Sequence, residues 1–422
     1  MHSSGLYINK YFPFALLYFF FNGVFLPEGM LYTTLLTPFL LIWLIRYPTI
    51  NYLGYFFLLT IPLGLIHWAN GIEDYSFYIK SYIACFAVFV FGIAFYQYLE
   101  NCHTLRTIFR KILIINAVMT VLSLVILFFV PPLRTVFWMN NDMSLGGVTV
   151  MRLRMLTYEP SYYSTLFAPI VFYYLLKAFR RELPNRWLYY LLTLIPLFLS
   201  LSFGVILATA IALFLIFIKN SRRAIFSSKN FRYFAGGICL LTAITIFVTV
   251  FYPDNVVFRR MSNVFSGKDV SFNGRTMDSY DMSIDIAKKK SIAFGVGFGQ
   301  VKVLGLPVFI KKYNNYRYTY NDIGIPNTTG DTFATLGLVI LALKFFLEIY
   351  FFFKTRVYSN QYRLALFLFI FIYQFTGGFL TNIAEYVLWI MAFKADLFPE
   401  FNNVKTTLHE SPVHSPIDPL QG

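Results

Sequence analysis

Two stretches carry the residue types that could do chemistry. The first is MRLRMLTYEPSYYS, residues 151–164, where Arg152, Arg154 and Glu159 crowd ahead of Pro160. Proline suits the first turn of a helix, and a carboxylate just before it gains from the positive end of the helix dipole. Glu159 therefore reads either as a cap and interfacial anchor, or as a carboxylate held among arginines to accept a hydrogen bond or a proton from a hydroxyl group.

The second stretch is NGRTMDSYDMSIDIAKKK, residues 273–290, followed by SIAFGVGFGQ. Arg275 matters here, because a guanidinium can hold a phosphate in a two-pronged fork where lysine offers a point charge. Met277, Tyr280, Ile284 and Ala287 recur at helical spacing, with Asn273 as the expected N-cap and three lysines at the far end, which predicts an amphipathic surface helix. Asp278, Asp281 and Asp285 share one of its faces; the spacing permits a metal, but a solvated acidic face is the more economical reading. Gly295, Gly297 and Gly299 resemble part of a phosphate-binding loop without the strand and helix that would frame one, so a flexible turn is expected. Further on, Lys344 and Glu348 are four residues apart and expected to pair. Asp331 lies at the edge of an apolar run, and Glu385 sits in another with no sequence neighbour to neutralise it.

The elements that must position these residues follow from composition. Of 422 residues, 58% are hydrophobic, 20% aromatic and 13% charged, whereas soluble domains carry about 25% charged residues. A helix needs about 20 mostly apolar residues to cross a bilayer with every peptide group satisfied internally. Such runs recur over 11–27, 30–45, 50–69, 79–97, 111–131, 160–177, 187–201, 203–218, 233–252, 332–353, 363–379 and 380–394. The run from Trp187 to Phe217 is too long for one crossing and divides near Ser200, Ser202 and Gly204; Gly377 and Gly378 mark a turn or a break between the last pair. The expected fold is all-α, a polytopic bundle of about 12 spans with two larger extracytoplasmic loops.

Lys and Arg cluster in alternate short loops (Arg106, Arg110, Lys111; Lys177, Arg180, Arg181, Arg186; Lys219, Arg222, Arg223, Lys229, Arg232; Lys354, Arg356, Arg363), which assigns those loops and both termini to the cytoplasm. The expected organisation is N-terminal helices over 1–131, a first periplasmic loop over 132–158, central helices over 159–252 and a second periplasmic loop over 253–331. C-terminal helices over 332–394 precede a cytoplasmic tail over 395–422, whose polar, proline-bearing stretch from Asn402 reads as disordered.

The remaining clues exclude. Met1–Lys10 is weakly basic, with no A-x-A-like site, so a cleaved signal peptide is not expected. Cys85, Cys102 and Cys239 form neither a disulfide framework nor a zinc pattern, and the five histidines are scattered. The net charge of +15 is explained by topology and by anionic headgroups of membrane lipids rather than by nucleic acid.

Taken together, TYEPS opening a helix, an SFG turn at Ser202–Gly204, a long loop with NGRT and GVGFG, and a span beginning near Gly330 resemble the O-antigen polymerase and O-antigen ligase superfamily of multi-pass glycan-assembly proteins. The resemblance covers about Arg152 to Leu380 and lies in the combination of motifs. It implies an integral glycosyltransferase of the cell inner membrane. That enzyme would transfer a growing glycan from undecaprenyl pyrophosphate to a carrier-linked repeat unit at the outer face, without nucleotide, metal or other cofactor. On that implication, Arg152, Arg154 and Arg275 would stabilise the pyrophosphate and Glu159 would orient or activate the acceptor hydroxyl. Tyr158, Asn327 and Asp331 would hold sugars, and a chain-length regulator is a candidate partner. The ligase branch shows a histidine, then Asn, Ser or Gln, then nine residues and glycine; here Asn327 and Gly337 keep the spacing, but Pro326 stands in the histidine's place. Phe203 likewise replaces an arginine of the SFG-like turn. Both departures favour polymerase over ligase, with a lipid-linked saccharide flippase as the alternative of another class.

Overall fold

A computed structural model describes residues 11–23, 26, 31–142, 149–221, 266 and 270–402. In chain order its helices are α1 (Phe12–Phe19), α2 (Tyr32–Leu35), α3 (Thr37–Leu44), α4 (Leu53–Ala69), α5 (Tyr75–Asn101), α6 (Leu105–Phe129) and α7 (Arg134–Phe137). A hairpin of β1 (Trp138–Asp142) and β2 (Thr149–Leu153) follows. Then come α8 (Pro160–Phe179), α9 (Arg186–Leu199), α10 (Phe203–Ser221), α11 (Val270–Arg275), α12 (Met277–Ala287), α13 (Gln300–Tyr313), α14 (Thr328–Lys354), α15 (Gln361–Tyr373) and α16 (Ile383–Phe393).

The fold is helical, and among the described residues four helical stretches are long and apolar enough to cross a membrane: Pro48–Ala69, Tyr75–Asn101, Leu105–Phe129 and Thr328–Lys354. Shorter apolar helices accompany them over Arg186–Leu199, Phe203–Lys219, Gln361–Tyr373 and Ile383–Phe393. The expected span over 233–252 lies outside the described residues. Short polar side chains start several of these helices by satisfying otherwise orphaned N–H groups. Asp74 accepts from Phe77 N, Asn327 from Gly330 N, Asn360 from Arg363 N and Asn382 from Ala384 N.

The long apolar run from Trp187 does break where small polar residues permit it. Helix α9 stops at Leu199, Leu201 takes a left-handed φ of 47°, and α10 starts at Phe203. Gly377 and Gly378 lie in the turn between α15 and α16, Gly378 with a φ of 80°.

Helix α8 is the axis of the molecule: every residue from Pro160 to Leu176, and Ala178, is buried. A helix apolar all round belongs inside a protein or a bilayer, and the Ser, Thr and Tyr side chains threaded through α8 need protein partners. They have them: the Tyr163 hydroxyl donates to Asn116 Oδ1 at 2.7 Å and the Ser164 hydroxyl to Ser200 Oγ at 2.7 Å. Helices α9, α10, α15 and α16 pack around it.

The segment that reads in sequence as a flexible glycine turn is instead wedged into a helix. Regular α-helix geometry would have Leu338 and Val339 donate to the carbonyls four residues back. Gly337, at φ 81° and ψ 179°, breaks α14 there. Leu338 N and Val339 N donate to Ile292 O and Ala293 O, while Ala334 O and Thr335 O accept from Val296 N and Gly297 N, all at 2.9–3.1 Å. Both helical bonds are thus exchanged pairwise with residues 292–297, which is how a broken helix inside protein stays satisfied. Glycine is required because a Cβ at Gly337 would lie 2.3 Å from Ala293 O and one at Gly295 2.4 Å from Thr335 O.

The loops expected on one side of a membrane do gather at one end of the bundle. Arg106 grips Glu400 through Nε at 3.0 Å and Nη2 at 2.6 Å, Arg180 donates to Glu400 O at 2.7 Å, and Lys394 pairs with Glu100 at 2.6 Å. Residues 395–402, the start of the expected cytoplasmic tail, are folded onto this end, with Phe398 and Phe401 buried. Aromatic contacts with Tyr173 and Tyr362 hold them there. The rest of that tail lies outside the described residues.

Candidate functional site

The opposite end brings the two chemically loaded stretches together. Glu159 has an extended backbone ahead of Pro160, and its carbonyl accepts the first helical bond, from Tyr163 N at 3.0 Å. Its carboxylate makes no cap to the helix; it accepts from the Ser161 hydroxyl at 2.5 Å and lies 3.8 Å from Arg275 Nη2. Their side chains are 32% and 35% exposed, so the pair adds little to stability and stays open to a ligand.

Arg275 ends α11, where the chain bends at Thr276 (φ −113°, ψ −102°) before α12. Asn273, expected to cap one continuous amphipathic helix, lies inside α11, because the chain makes two helices with this bend between them. The bend leaves the Arg275 carbonyl facing Asn327, whose Nδ2 donates to it at 2.7 Å and to Ser279 Oγ at 2.8 Å. The Asn327 Oδ1 meanwhile accepts from Gly330 N at 2.6 Å. With both ends of its amide engaged and no exposed surface, Asn327 braces Arg275 from behind and is not presented to a sugar.

The other sequence candidates divide. Arg152, buried, reaches the α9–α10 turn, where Nε donates to Ser200 O at 3.1 Å and Nη2 to Ser202 Oγ at 3.3 Å. Since Ser200 also receives the Ser164 hydroxyl, the first turns of α8 meet the α9–α10 turn, and Arg152 brings a guanidinium to the turn whose own sequence has Phe203. Arg154 donates to the Thr135 carbonyl and, at 3.5 Å, to Tyr158 O. Burial pushes the pKa of its guanidinium down, and its Nε is buried without a hydrogen-bond partner among the described residues. The Tyr158 ring packs on Tyr162 at 4.7 Å with its hydroxyl buried. Asp331 accepts from Leu380 N at 2.8 Å and from the Thr335 hydroxyl at 3.3 Å, which ties it to the α15–α16 turn rather than to Arg275.

Sequence reasoning missed the supports. Ser161 could have been read from its place beside Glu159. Tyr373, buried at the end of α15 and close enough to feel the charges of both Arg275 and Glu159, carried no signal within an apolar run. Glu385, lacking a neighbour in sequence, finds Lys344 Nζ at 3.5 Å and the Thr328 hydroxyl at 2.5 Å. Lys344 also makes its expected pair with Glu348 at 2.7 Å and hydrogen-bonds Gln374. This buried network holds Thr328, the residue after Asn327, so it supports the site from below. Asp278 and Asp281 both face Lys312 Nζ, at 2.9 and 3.3 Å, so a lysine neutralises this acidic face.

Residues 188–345 match a family model described as O-antigen ligase. The matched stretch includes Arg275, Asn327 and Gly337, while Arg152, Arg154 and Glu159 precede it. No curated protein matches the chain. The match supports the O-antigen polymerase and ligase superfamily, whose members are membrane enzymes that process glycans.

Proposed function

We propose that this chain, carrying the O-antigen ligase family match over residues 188–345, is a repeat-unit polymerase working at the outer face of the inner membrane. The observation that carries the reading is the meeting of Glu159 and Arg275, from two separate loops, at a partly exposed contact of 3.8 Å. In the reaction an acceptor sugar hydroxyl oxygen bonds to the donor's anomeric carbon as the bond from that carbon to the undecaprenyl pyrophosphate oxygen breaks. The hydroxyl proton passes to the Glu159 carboxylate, and the negative charge that develops on the leaving pyrophosphate is met by the Arg275 guanidinium. A donor already in place where charge develops lowers the barrier without reorganising. Arg152 and Arg154 act around this pair, the first by fixing the α9–α10 turn against α8 and the second by adding a desolvated guanidinium. Asn327 and Asp331 position the start of α14 beneath Arg275.

The family description favours a second reading, transfer of finished glycan to a lipid A core. Pro326, in the place of the ligase branch's histidine, argues against it. A deletion strain separates the two: cores bearing one repeat unit indicate loss of a polymerase, and cores bearing none would overturn the polymerase reading.

A further inference from the structure

Between α13 and the buried Ile323 the chain reads NNYRYTYND, residues 314–322, and most of it is exposed. Tyr316 is 81% and Tyr320 46% exposed. Tyr318, midway, turns inward against Phe309 and Tyr313. The loop has a built shape: Asn315 Oδ1 accepts from Arg317 N at 3.1 Å, and the Asp322 carboxylate accepts from Thr319 N at 2.8 Å and Thr319 Oγ1 at 2.7 Å. It is also joined to the Arg275 region. The Tyr313 hydroxyl lies 3.3 Å from where a Cβ on Gly274 would stand, and Lys312 clasps Asp278 and Asp281.

We propose that Tyr316, Arg317 and Tyr320 form a saccharide-binding platform that holds the glycan of the carrier-linked substrate, distal to its pyrophosphate; this rests on the function proposed above. Tyrosine offers a rigid, amphipathic face at low entropic cost, and with asparagine and arginine it makes the composition of surfaces that bind polar ligands. A pyranose ring presents C–H groups to such a face and hydroxyls to the Arg and Asn side chains at its edge. Insertion into hydrocarbon is the poorer fit, because residues 314–322 include no aliphatic side chain, and seating of the tyrosines among lipid headgroups is the competing outcome that the lipid arm of the test detects. A preformed loop also loses little freedom on binding.

The test uses free oligosaccharides of one and of several repeat units, released by mild acid from the host's carrier-linked pool, titrated against the purified full-length protein in nanodiscs. Tyr316→Ala with Tyr320→Ala is expected to weaken multi-unit binding by about tenfold or more, whereas Tyr316→Phe with Tyr320→Phe keeps it. With carrier-linked substrates, the alanine pair raises KM for long donors and leaves kcat on single units unchanged. Equal affinity of wild type and the alanine pair, or quenching of loop fluorescence by brominated lipids, overturns the platform. Tyrosine-dependent glycan binding by a protein that forms no polymer would keep the platform and remove the polymerase reading. Polymerisation with unchanged KM would do the reverse.

Discussion

Glu159 and Arg275 are paired yet partly exposed, which leaves both side chains open to a substrate. Glu159→Gln keeps the size and the contact with Ser161 but cannot take a proton, so glycan transfer should fall by about 10²–10⁴-fold in a turnover assay while thermal stability changes little. Arg275→Lys keeps the charge but loses the fork, so it should fail to restore the rate lost in Arg275→Ala; recovery by lysine would reduce Arg275 to a point charge. Both residues were legible in sequence by their types and neighbours. Their sharing of one site was expected only through the family resemblance; the contact itself could not be read from the residues, because it depends on a bend at Thr276 and on Asn327, which comes from the start of a distant helix.

At the scale of elements, the decisive device is the exchange of hydrogen bonds between the broken α14 and residues 292–297. Gly337→Ala combines a positive φ with a Cβ 2.3 Å from a carbonyl, so it should cost at least about 2 kcal/mol, measured as a lowered unfolding temperature in detergent. Gly324→Ala, where a Cβ would meet nothing within 4 Å, should be close to neutral. Equal effects of the two would show that the wedge does not hold α14. The break between α9 and α10 was readable from length and small polar residues, since both requirements are local. The wedge was not readable as one. Gly295, Gly297 and Gly299 are spaced as in any mobile turn, and what fixes them is the backbone of a helix some forty residues onward.

Across the whole molecule, two polar assemblies hold opposite ends. Near the site, Glu348 and Glu385 share one lysine inside the bundle. Lys344→Met would strand two buried carboxylates and should destabilise the fold by about 3–5 kcal/mol, whereas Glu385→Gln should be far milder; denaturant titration in detergent distinguishes them. The sequence displayed the Lys344–Glu348 pair through its four-residue spacing, while the Glu385 partner needed α14 and α16 to be placed side by side. At the other end Glu400 gathers Arg106, Lys177 and Arg180. Burial works to raise its pKa, but the hydrogen bonds from Arg106, a backbone hydrogen bond and the charges of Arg106 and Lys177 together outweigh this and leave it below its ordinary 4.5. A folded-state value below the unfolded one means that this clasp contributes fully above about pH 4.5 and is lost as pH falls through the lowered value. Thermal stability should decline on that acid limb, and Glu400→Gln should flatten the decline; an unchanged limb would remove Glu400 as its cause.

Polymerisation by the purified protein, given carrier-linked repeat units alone, tests whether Glu159 and Arg275 act as one catalytic pair. Wild type should build a ladder of lengthening glycans, and Arg275→Ala and Glu159→Gln, folded as judged by their unfolding temperatures, should leave single units. A ladder undiminished in either variant would contradict the assignment of these two side chains to one catalytic site.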